Sequence, residues 1–502
     1  MNVNNSLRLE MAKLEDNSDN ALTLTQLHNE VLKTLQAASI DDSEVSARRI
    51  LEETTGVDVA QFPAEGDQLV THRAVARTDA LTARRVNGEP LQYVIGSWNF
   101  RHLDLAVDPR ALIPRPETEV VVGCAVDLLN SNDKDIAENP IVVDLGTGTG
   151  AIALSIAQEV PNAQVHATDV SEEALALASS NLAGLGGSAA RVQLHNGDWF
   201  RALPERLTGQ LDMVISNPPY VSSNYPLPAV IANWEPTSAL LGGEDGFTYL
   251  DLLARESRSW LRPGGWLILE CGSDQTVRLR DLVIARGYNG VAINRDFSGN
   301  ERFVTARRPL DDVDDSHLRG ATAALEVGSL VVAPTDTLPG LLAKYSDTTA
   351  VEDSYRAKDR PFDQPVPVLV SGIEQADKLV HLDDEVRKLI ADHWPGALTI
   401  VAQRRDGRDP VTGGNTLGIR CPEPGWLRVL IDDVGPVTGS SANLHAVETQ
   451  LRAQDAAASL AIEVAYVIPG TSRGGLASTV VDTTGDSLTV LRQGAVDLTE
   501  KK

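Results

Sequence analysis

Residues 142–157 read VVDLGTGTGAIALSIA. A β-branched apolar run meets glycines at 146, 148 and 150, and an alanine-rich run with helical composition follows. Glycine at alternate positions permits a tight turn and a close approach of ligand to backbone. Strand, glycine turn and helix in that order form the unit from which α/β domains are built. The same alternation continues on either side in AQVHATDV, SEEALALASSNLA, LDMVISNPPY and GWLILECG. It predicts a mainly parallel sheet with helices on both faces.

The chain has 502 residues, enough for several cores, with 42% hydrophobic and 23% charged residues. Its formal net charge of -26 argues against holding a nucleic acid by its phosphates, so no stable direct DNA binding is expected. Cys124, Cys271 and Cys421 are far apart and form no CxxC pair. This predicts no disulfide framework and no metal site, and a reducing, cytoplasmic location. The polar N-terminus lacks the apolar core of a signal peptide, and no run has the length of a membrane span.

Composition divides the chain into five parts. Residues 1–20 read as a disordered tail. Residues 21–88 read as a helical module: Leu24, Leu27, Val31 and Leu35 share one helical face. Asp41 and Glu44 have capping-box spacing for a second helix that stops at Gly56. The α/β pattern fills 89–308, an acidic proline-containing linker covers 309–317, and a second α/β unit runs over 318–496. The whole is an α/β multidomain chain.

The GxGxG turn departs from the dinucleotide fingerprint. Asp144 precedes it, unfavourable for a phosphate cradle, and no Walker lysine is present after it. A ligand whose cationic or hydroxyl groups meet an acid fits better, and S-adenosylmethionine is one. Asp169 ends the next strand and can take ribose hydroxyls. Asp198 and Trp199, in GDWF, lie after a third strand-like run and can bind an adenine amino group and ring. Singly these residues read equally well as helix caps or core. In sequence order they favour a nucleoside site.

NPPY, residues 217–220, comes after the fourth strand of the pattern, on the edge where ligands of open α/β sheets bind. Asn217 offers a side-chain carbonyl, and the Pro218 carbonyl faces a turn in which neither proline carries an N–H. Two acceptors aimed at one point complement a planar NH2 group, whose lone pair they can turn towards an electrophilic methyl. Tyr220 can stack on that group. The four residues alone do not distinguish an adenine from an amide, and N6-adenine methylation of a nucleic acid is the alternative.

GEPLQYVIGSWNF, LIPRPETEVVV, ISNPPY, WEPTSALLGGEDG, LRPGGWLILECG and GNERFVTAR, with the two segments above, closely resemble the PrmC family of release factor N5-glutamine methyltransferases over about 21–308. The resemblance implies a Rossmann-like seven-stranded S-adenosylmethionine-dependent domain. It implies cofactor contacts at Gly146, Thr147, Gly148, Thr149, Gly150, Asp169, Trp199 and Asn217, and a substrate glutamine against Asn217, Pro218, Pro219 and Tyr220. The substrate implied is the Gly-Gly-Gln loop of class I peptide chain release factors, held partly by the helical module. Arg115 and Glu117 either shape the same mouth or form a salt-bridged loop.

In the C-terminal unit, Lys358 and Arg360 sit two apart, as do Ser441 and Asn443. In an extended segment the two cations would point one way and suit a triphosphate or bicarbonate, and Ser441 and Asn443 could hold a nucleotide oxygen or a magnesium water. From spacing alone, a solvated cation pair and a capped turn read better. The ordered set APTDTLPGLLA, YRAKDRPFDQPVPVLV, HWPGALTIV, LGIRCP and GSSANL resembles the YrdC-like family, which makes threonylcarbamoyl-AMP for tRNA modification. The resemblance adds Thr335 and Arg420 to the site and implies threonine, bicarbonate and ATP, with Mg2+. Pro339, Gln364, His445 and Ala446 depart from the family pattern, so a catalytic domain and a non-catalytic binding module both stand.

Overall fold

The computed structural model describes residues 22–498, except 132, 134, 311, 312, 410, 413, 446, 475 and 486. The expected tail at 1–20, and Ala446, lie outside the described residues.

The helical module forms as its periodicity predicts. Helix α1 (Leu24–Ala37) buries Leu24, Leu27, Val31 and Leu35. Thr23 and Gln26 close a capping box at its start. Helix α2 (Ser43–Thr55) ends at Gly56, whose φ of 74° suits a residue without a Cβ. The capping box expected from Asp41 and Glu44 does not form: Asp42 is the N-cap residue, without a side-chain cap bond. The Asp42 carboxylate instead accepts from Arg85 at 2.7 Å. Arg85 lies on α3 (His72–Val86) and also bonds Ser46 and the Glu89 carbonyl. A buried guanidinium that ties three segments outcompetes a local cap.

A hairpin of β1 (Ser97–Phe100) and β2 (Leu103–Ala106) and helix α4 (Pro116–Leu129) lead into the large sheet. Its parallel strands are β3 (Ile141–Leu145), β4 (Gln164–Asp169), β5 (Val192–Asn196), β6 (Leu211–Ser216) and β7 (Leu261–Glu270). Two further strands, β8 (Asn289–Arg295) and β9 (Glu301–Arg307), complete the order β5-β4-β3-β6-β7-β9-β8, with β9 antiparallel to both neighbours. Strand order reverses between β3 and β6, the switch point where a crevice opens at the carboxyl ends.

Helices α5 (Ala151–Glu159) and α6 (Glu172–Ala183) come after β3 and β4, and α7 (Thr248–Trp260) and α8 (Thr276–Ala285) flank β7. Side chains alternate between two cores: Val142, Met213 and Ile215 enter one, Val143, Leu145 and Val214 the other. This period-two burial on both faces explains why the strands read as unbroken apolar runs.

The acidic stretch assigned to a linker at 309–317 is helical at its end. Helix α9 (Asp315–Glu326) starts there, with Asp314 accepting from the Ser316 N–H at 2.7 Å. Asp315 also faces Arg258 at 3.5 Å and Arg308 at 3.4 Å. The C-terminal unit holds two sheets. One has β10 (Val331–Ala333), β11 (Gly340–Leu342), β16 (Ser440–Ser441) and β17 (Tyr466–Val467) in the order β16-β11-β10-β17. The other has β12 (Val368–Leu369), β13 (Leu398–Gln403), β14 (Thr416–Arg420), β15 (Val437–Thr438), β18 (Thr479–Asp482) and β19 (Thr489–Arg492) in the order β15-β12-β14-β13-β18-β19. Helix α10 (Thr348–Ala357) lies between β11 and β12, and α11 (Gly425–Val434) comes after β14. The two α/β units touch: Gly287 meets Gly425 backbone to backbone, Arg428 donates to the Ile284 carbonyl at 2.9 Å, and Arg286 pairs with Asp432.

Within the large sheet, His166 on β4 and His195 on β5 stack at 5.1 Å with ring nitrogens 2.9 Å apart. Burial, then His195, then Arg206 push the His166 imidazole down to about 4. A neutral native histidine must charge on unfolding below its ordinary value near 6.5, so its contribution is complete above pH 6.5 and lost between pH 6.5 and about 4. Denaturant titrations across that window are expected to show a shallower loss of unfolding free energy in His166→Gln than in the wild type.

Candidate functional site

The GxGxG turn stands at the carboxyl end of β3. Gly146, Gly148 and Gly150 have φ of 75°, 56° and 86°, conformations that side-chain-bearing residues avoid. Asp144 is fully buried beneath the turn. Its carboxylate accepts from Thr147 Oγ1 at 2.6 Å and from the Ala153 N–H at 3.2 Å, fixing the turn to the start of α5. Burial pushes this carboxyl up to about 7 against the pull of those two donors. Thr149 is buried in the same turn, and its carbonyl accepts from Asn181 at 2.9 Å.

Asp169, the last residue of β4, accepts from the Gly148 N–H on one oxygen and the Ser171 N–H on the other, both at 2.9 Å. Each oxygen keeps a lone-pair direction for a ribose hydroxyl. Trp199 adopts a left-handed φ of 45°, a strained conformation for a bulky residue. Its ring lies 3.2 Å from where a Cβ on Gly146 would stand, so the indole packs on bare backbone. Asp198, beside it, is exposed and pairs with Arg201 at 3.2 Å.

NPPY leaves β6 beside this turn. Ser216 Oγ donates to the Leu145 carbonyl at 2.6 Å, clipping the ends of β6 and β3 together. Asn217 Nδ2 donates to Thr118 Oγ1 at 3.2 Å. Thr118 Oγ1 donates to Glu270 at 2.7 Å, and the Tyr220 hydroxyl lies 3.4 Å from the other oxygen of the same carboxylate. Glu270 ends β7 and is almost fully buried, which pushes its carboxyl up to about 7. Burial and Glu270 also raise the Tyr220 phenol well above its ordinary value. The Gln275 amide donates to the Tyr220 carbonyl at 3.0 Å, and side chains at Gly242 or Gly246 would strike the Pro219 and Tyr220 carbonyls.

Of the two readings of the LIPRPETE loop, Arg115 meets the salt-bridge one. Its guanidinium contacts both oxygens of buried Glu235, at 2.6 and 2.8 Å. Spacing alone does not single out Thr118, Glu270 or Glu235. Their signal lies in the threonine of PETE, the glutamate of LECG and that of WEPTS, each an acidic or hydroxyl residue inside a segment bearing the family resemblance.

In the C-terminal unit a cavity of about 350 Å³ is lined by Thr335, Arg360, Arg420, Ser441 and, unforeseen, Ser478 and Arg492. Thr335 Oγ1 donates to the Leu338 carbonyl at 2.8 Å, and Arg420 spans the Gly396 carbonyl, Thr337 and Asp336. Lys358 and Arg360 are not in an extended segment: Lys358 caps α10, and Asp359 turns back with φ of 50°. Lys358 is 2% exposed, and its ammonium bonds the Ser441 carbonyl and the carbonyl and side chain of Asn443. Burial, then Arg360, push it down to about 8. Arg360 therefore faces the cavity, while Lys358 and Asn443 brace the loop that presents Ser441. Three arginines lining one cavity suit an anionic ligand.

A model described as the PrmC N-terminal domain matches residues 26–96, one described as a methyltransferase small domain matches 124–233, and the Sua5, YciO and YrdC model described as telomere recombination matches 323–494. The release factor glutamine methyltransferase of Streptomyces coelicolor is 41% identical over 239 residues, 47% of this chain and 82% of the relative. That of Aliivibrio fischeri is 33% identical over 293 residues, 58% of this chain and 100% of the relative. The chain belongs to the release factor glutamine methyltransferase family. To this family's architecture it adds a C-terminal Sua5/YrdC-type domain. A structure of P. abyssi Sua5 complexed with L-threonine is 31% identical, with a TM-score of 0.34, over 35% of this chain and 54% of that one. A doubly substituted variant of P. abyssi Sua5 is 30% identical with a TM-score of 0.36, over 38% of this chain and 59% of that one. The chain thus spans less than two thirds of either Sua5 chain.

A release factor methyltransferase of this build uses S-adenosylmethionine, and the left-handed glycines, the free lone pairs of Asp169 and the indole over Gly146 fit it. Among the described residues no group of acidic, histidine or cysteine side chains has metal-binding geometry, and no helix is long and apolar enough to cross a membrane. Gly146→Ala forces a Cβ against the Trp199 ring at a left-handed φ. Calorimetric titration with S-adenosylhomocysteine is expected to show affinity reduced by about ten-fold or more, from roughly 1–2 kcal/mol of backbone strain plus the lost ring contact.

Proposed function

We propose that residues 21–308 transfer the methyl group of S-adenosylmethionine to the side-chain amide nitrogen of the glutamine in the Gly-Gly-Gln loop of class I release factors. The observation that carries this reading is the placement of Asn217 and the Pro218 carbonyl at the end of β6, one strand from the GxGxG turn. Gly146 to Gly150, Asp169 and Trp199 would hold the cofactor, which supplies an electrophilic methyl on a sulfonium. The Asn217 and Pro218 carbonyls accept the two N–H bonds of the substrate amide. An amide nitrogen held this way gives less of its lone pair to its own carbonyl, and that pair is directed at the methyl. Tyr220 supports the plane of the amide. Thr147 and Thr149 hold the turn, and Asp144 fixes it from below.

We infer that the C-terminal domain forms threonylcarbamoyl-AMP from threonine, bicarbonate and ATP, with Mg2+. Arg360, Arg420 and Arg492 around one cavity support an anionic substrate there. Ser441 and Thr335 add neutral donors beside them. Asn443 and Lys358 act from behind by holding the Ser441 loop.

Mass spectrometry of release factors co-expressed with the chain is expected to show one added methyl on the Gly-Gly-Gln peptide. Asn217→Ala should abolish at least about 99% of it, because removing a preorganised polar contact at a reacting centre costs about 10²–10³ in rate. Labelled methyl in DNA or ribosomal RNA, with none in the release factor, would favour adenine methylation instead.

For the second activity, adenylate formation from threonine, bicarbonate and ATP should be lost in Arg360→Ala with the methyl transfer intact. Product formed equally by wild type and Arg360→Ala would point to a binding module.

A further inference from the structure

Asn217 carries two nearly isosteric groups, a carbonyl oxygen that accepts and an NH2 that donates. A substrate NH2 can be bound by the first and is repelled by the second, so which way this amide faces decides whether the site works. Nothing within NPPY sets that choice, since the two residues after Asn217 are prolines with no N–H to give.

The choice is made by two residues outside the motif. Thr118 sits in the first turn of α4 with 4% exposure, and Glu270 at the end of β7 with 1%. A threonine hydroxyl has one proton and two lone pairs. The proton goes to Glu270 Oε2 at 2.7 Å. The hydroxyl therefore shows Asn217 a lone pair, and the Asn217 NH2 turns to it at 3.2 Å. This leaves the Asn217 carbonyl facing away from Thr118. The second oxygen of Glu270 lies 3.4 Å from the Tyr220 hydroxyl, so one carboxylate reaches both ends of NPPY.

We propose that Thr118 and Glu270 form a positioning relay that presents the carbonyl oxygen of Asn217, not its amino group, to the substrate amide and sets Tyr220 in the same step. The relay rests on the reading of Asn217 as acceptor for that amide. Neither residue touches the reacting atoms, so their removal acts on turnover and leaves cofactor binding in place. Without the threonine hydroxyl the Asn217 amide loses the partner that fixes its direction. With the hydroxyl but no acceptor behind it, the threonine proton is free to bond the Asn217 oxygen and turn the amide around.

The test compares the full chain with Thr118→Val, Thr118→Ser, Glu270→Leu, the double variant Thr118→Val/Glu270→Leu and Asn217→Ala; leucine leaves the Thr118 hydroxyl with no acceptor. Methyl transfer to a purified release factor is followed under saturating conditions, and S-adenosylhomocysteine affinity by calorimetry. Thr118→Val, nearly the same shape without the hydroxyl, is expected to lower kcat by about 10- to 100-fold, the cost of a misplaced contact group. The KM for the release factor and the affinity for S-adenosylhomocysteine should stay within about two-fold of wild type, as positioning of one substrate contact predicts. Thr118→Ser should restore most of kcat. The double variant should be no slower than the worse single one, because both act through one amide. Should Thr118→Val not bind S-adenosylhomocysteine, Glu270→Leu carries the comparison, with Thr118→Ser as its intact control.

Wild-type kcat in both Thr118→Val and Glu270→Leu, with Asn217→Ala inactive, overturns the relay and leaves the methyltransferase reading standing. Multiplying losses in the double variant, or a serine variant as slow as the valine one, also overturn it. Full activity in Asn217→Ala overturns the reading on which the relay depends.

Discussion

The parallel register of β3 with β6 is the constraint on which the site depends. Leu145 pairs with Ser216, and the Ser216 hydroxyl closes on the Leu145 carbonyl at 2.6 Å. The two strands therefore end at the same height, and the segments that leave them meet. The glycines of the GxGxG turn leave β3, and the two prolines leave β6. A slip of one residue would reverse the faces of β6, placing Val214 where Met213 and Ile215 now pack. Burial of all six residues of β6 makes that slip costly. The chemistry at the sheet edge is thus held in register by the core beneath it.

Two buried carboxyl groups finish the work of the register. Asp144 and Glu270 stand near the carboxyl ends of β3 and β7, on either side of β6. Asp144 takes a hydroxyl and a backbone N–H, and Glu270 takes a hydroxyl and a phenol. Burial disfavours the charged form of each, which is why both are raised to about 7. Wherever either carboxyl is ionised it only accepts, and so imposes direction on the hydroxyls around it. Asp144 directs Thr147 within the turn, and Glu270 directs Thr118.

The α/β class, the strand ends and the glycine turn are legible in the sequence because they depend on periodicity and on glycine's steric freedom, both local properties. Asp169, Trp199 and NPPY are legible for the same reason: each sits at or just past the end of an apolar run. The hidden features depend on contacts distant in sequence. Thr118 meets Asn217 across 99 residues and Glu270 across 152. Arg115 meets Glu235 across 120, and Arg85 takes Asp42 from its local cap across 43. Spacing also misleads where a helix end replaces an extended segment. Lys358 and Arg360 diverge because Asp359 turns left-handed between them, one cation going into the loop support and the other to the cavity.

The resemblance of LIPRPETE to one methyltransferase family acquires a physical meaning in this arrangement. In the proposed reading the four residues of NPPY would provide acceptors for any planar NH2, but they do not orient their own asparagine. The LIPRPETE loop would do so. Arg115 anchors it to buried Glu235, Pro116 starts α4 at a fixed φ, and the helix brings Thr118 to Asn217. The loop that carries the family resemblance would therefore be mechanically part of the proposed clamp. A chain that kept NPPY and lost this loop would keep the acceptors but lose the element that aims them.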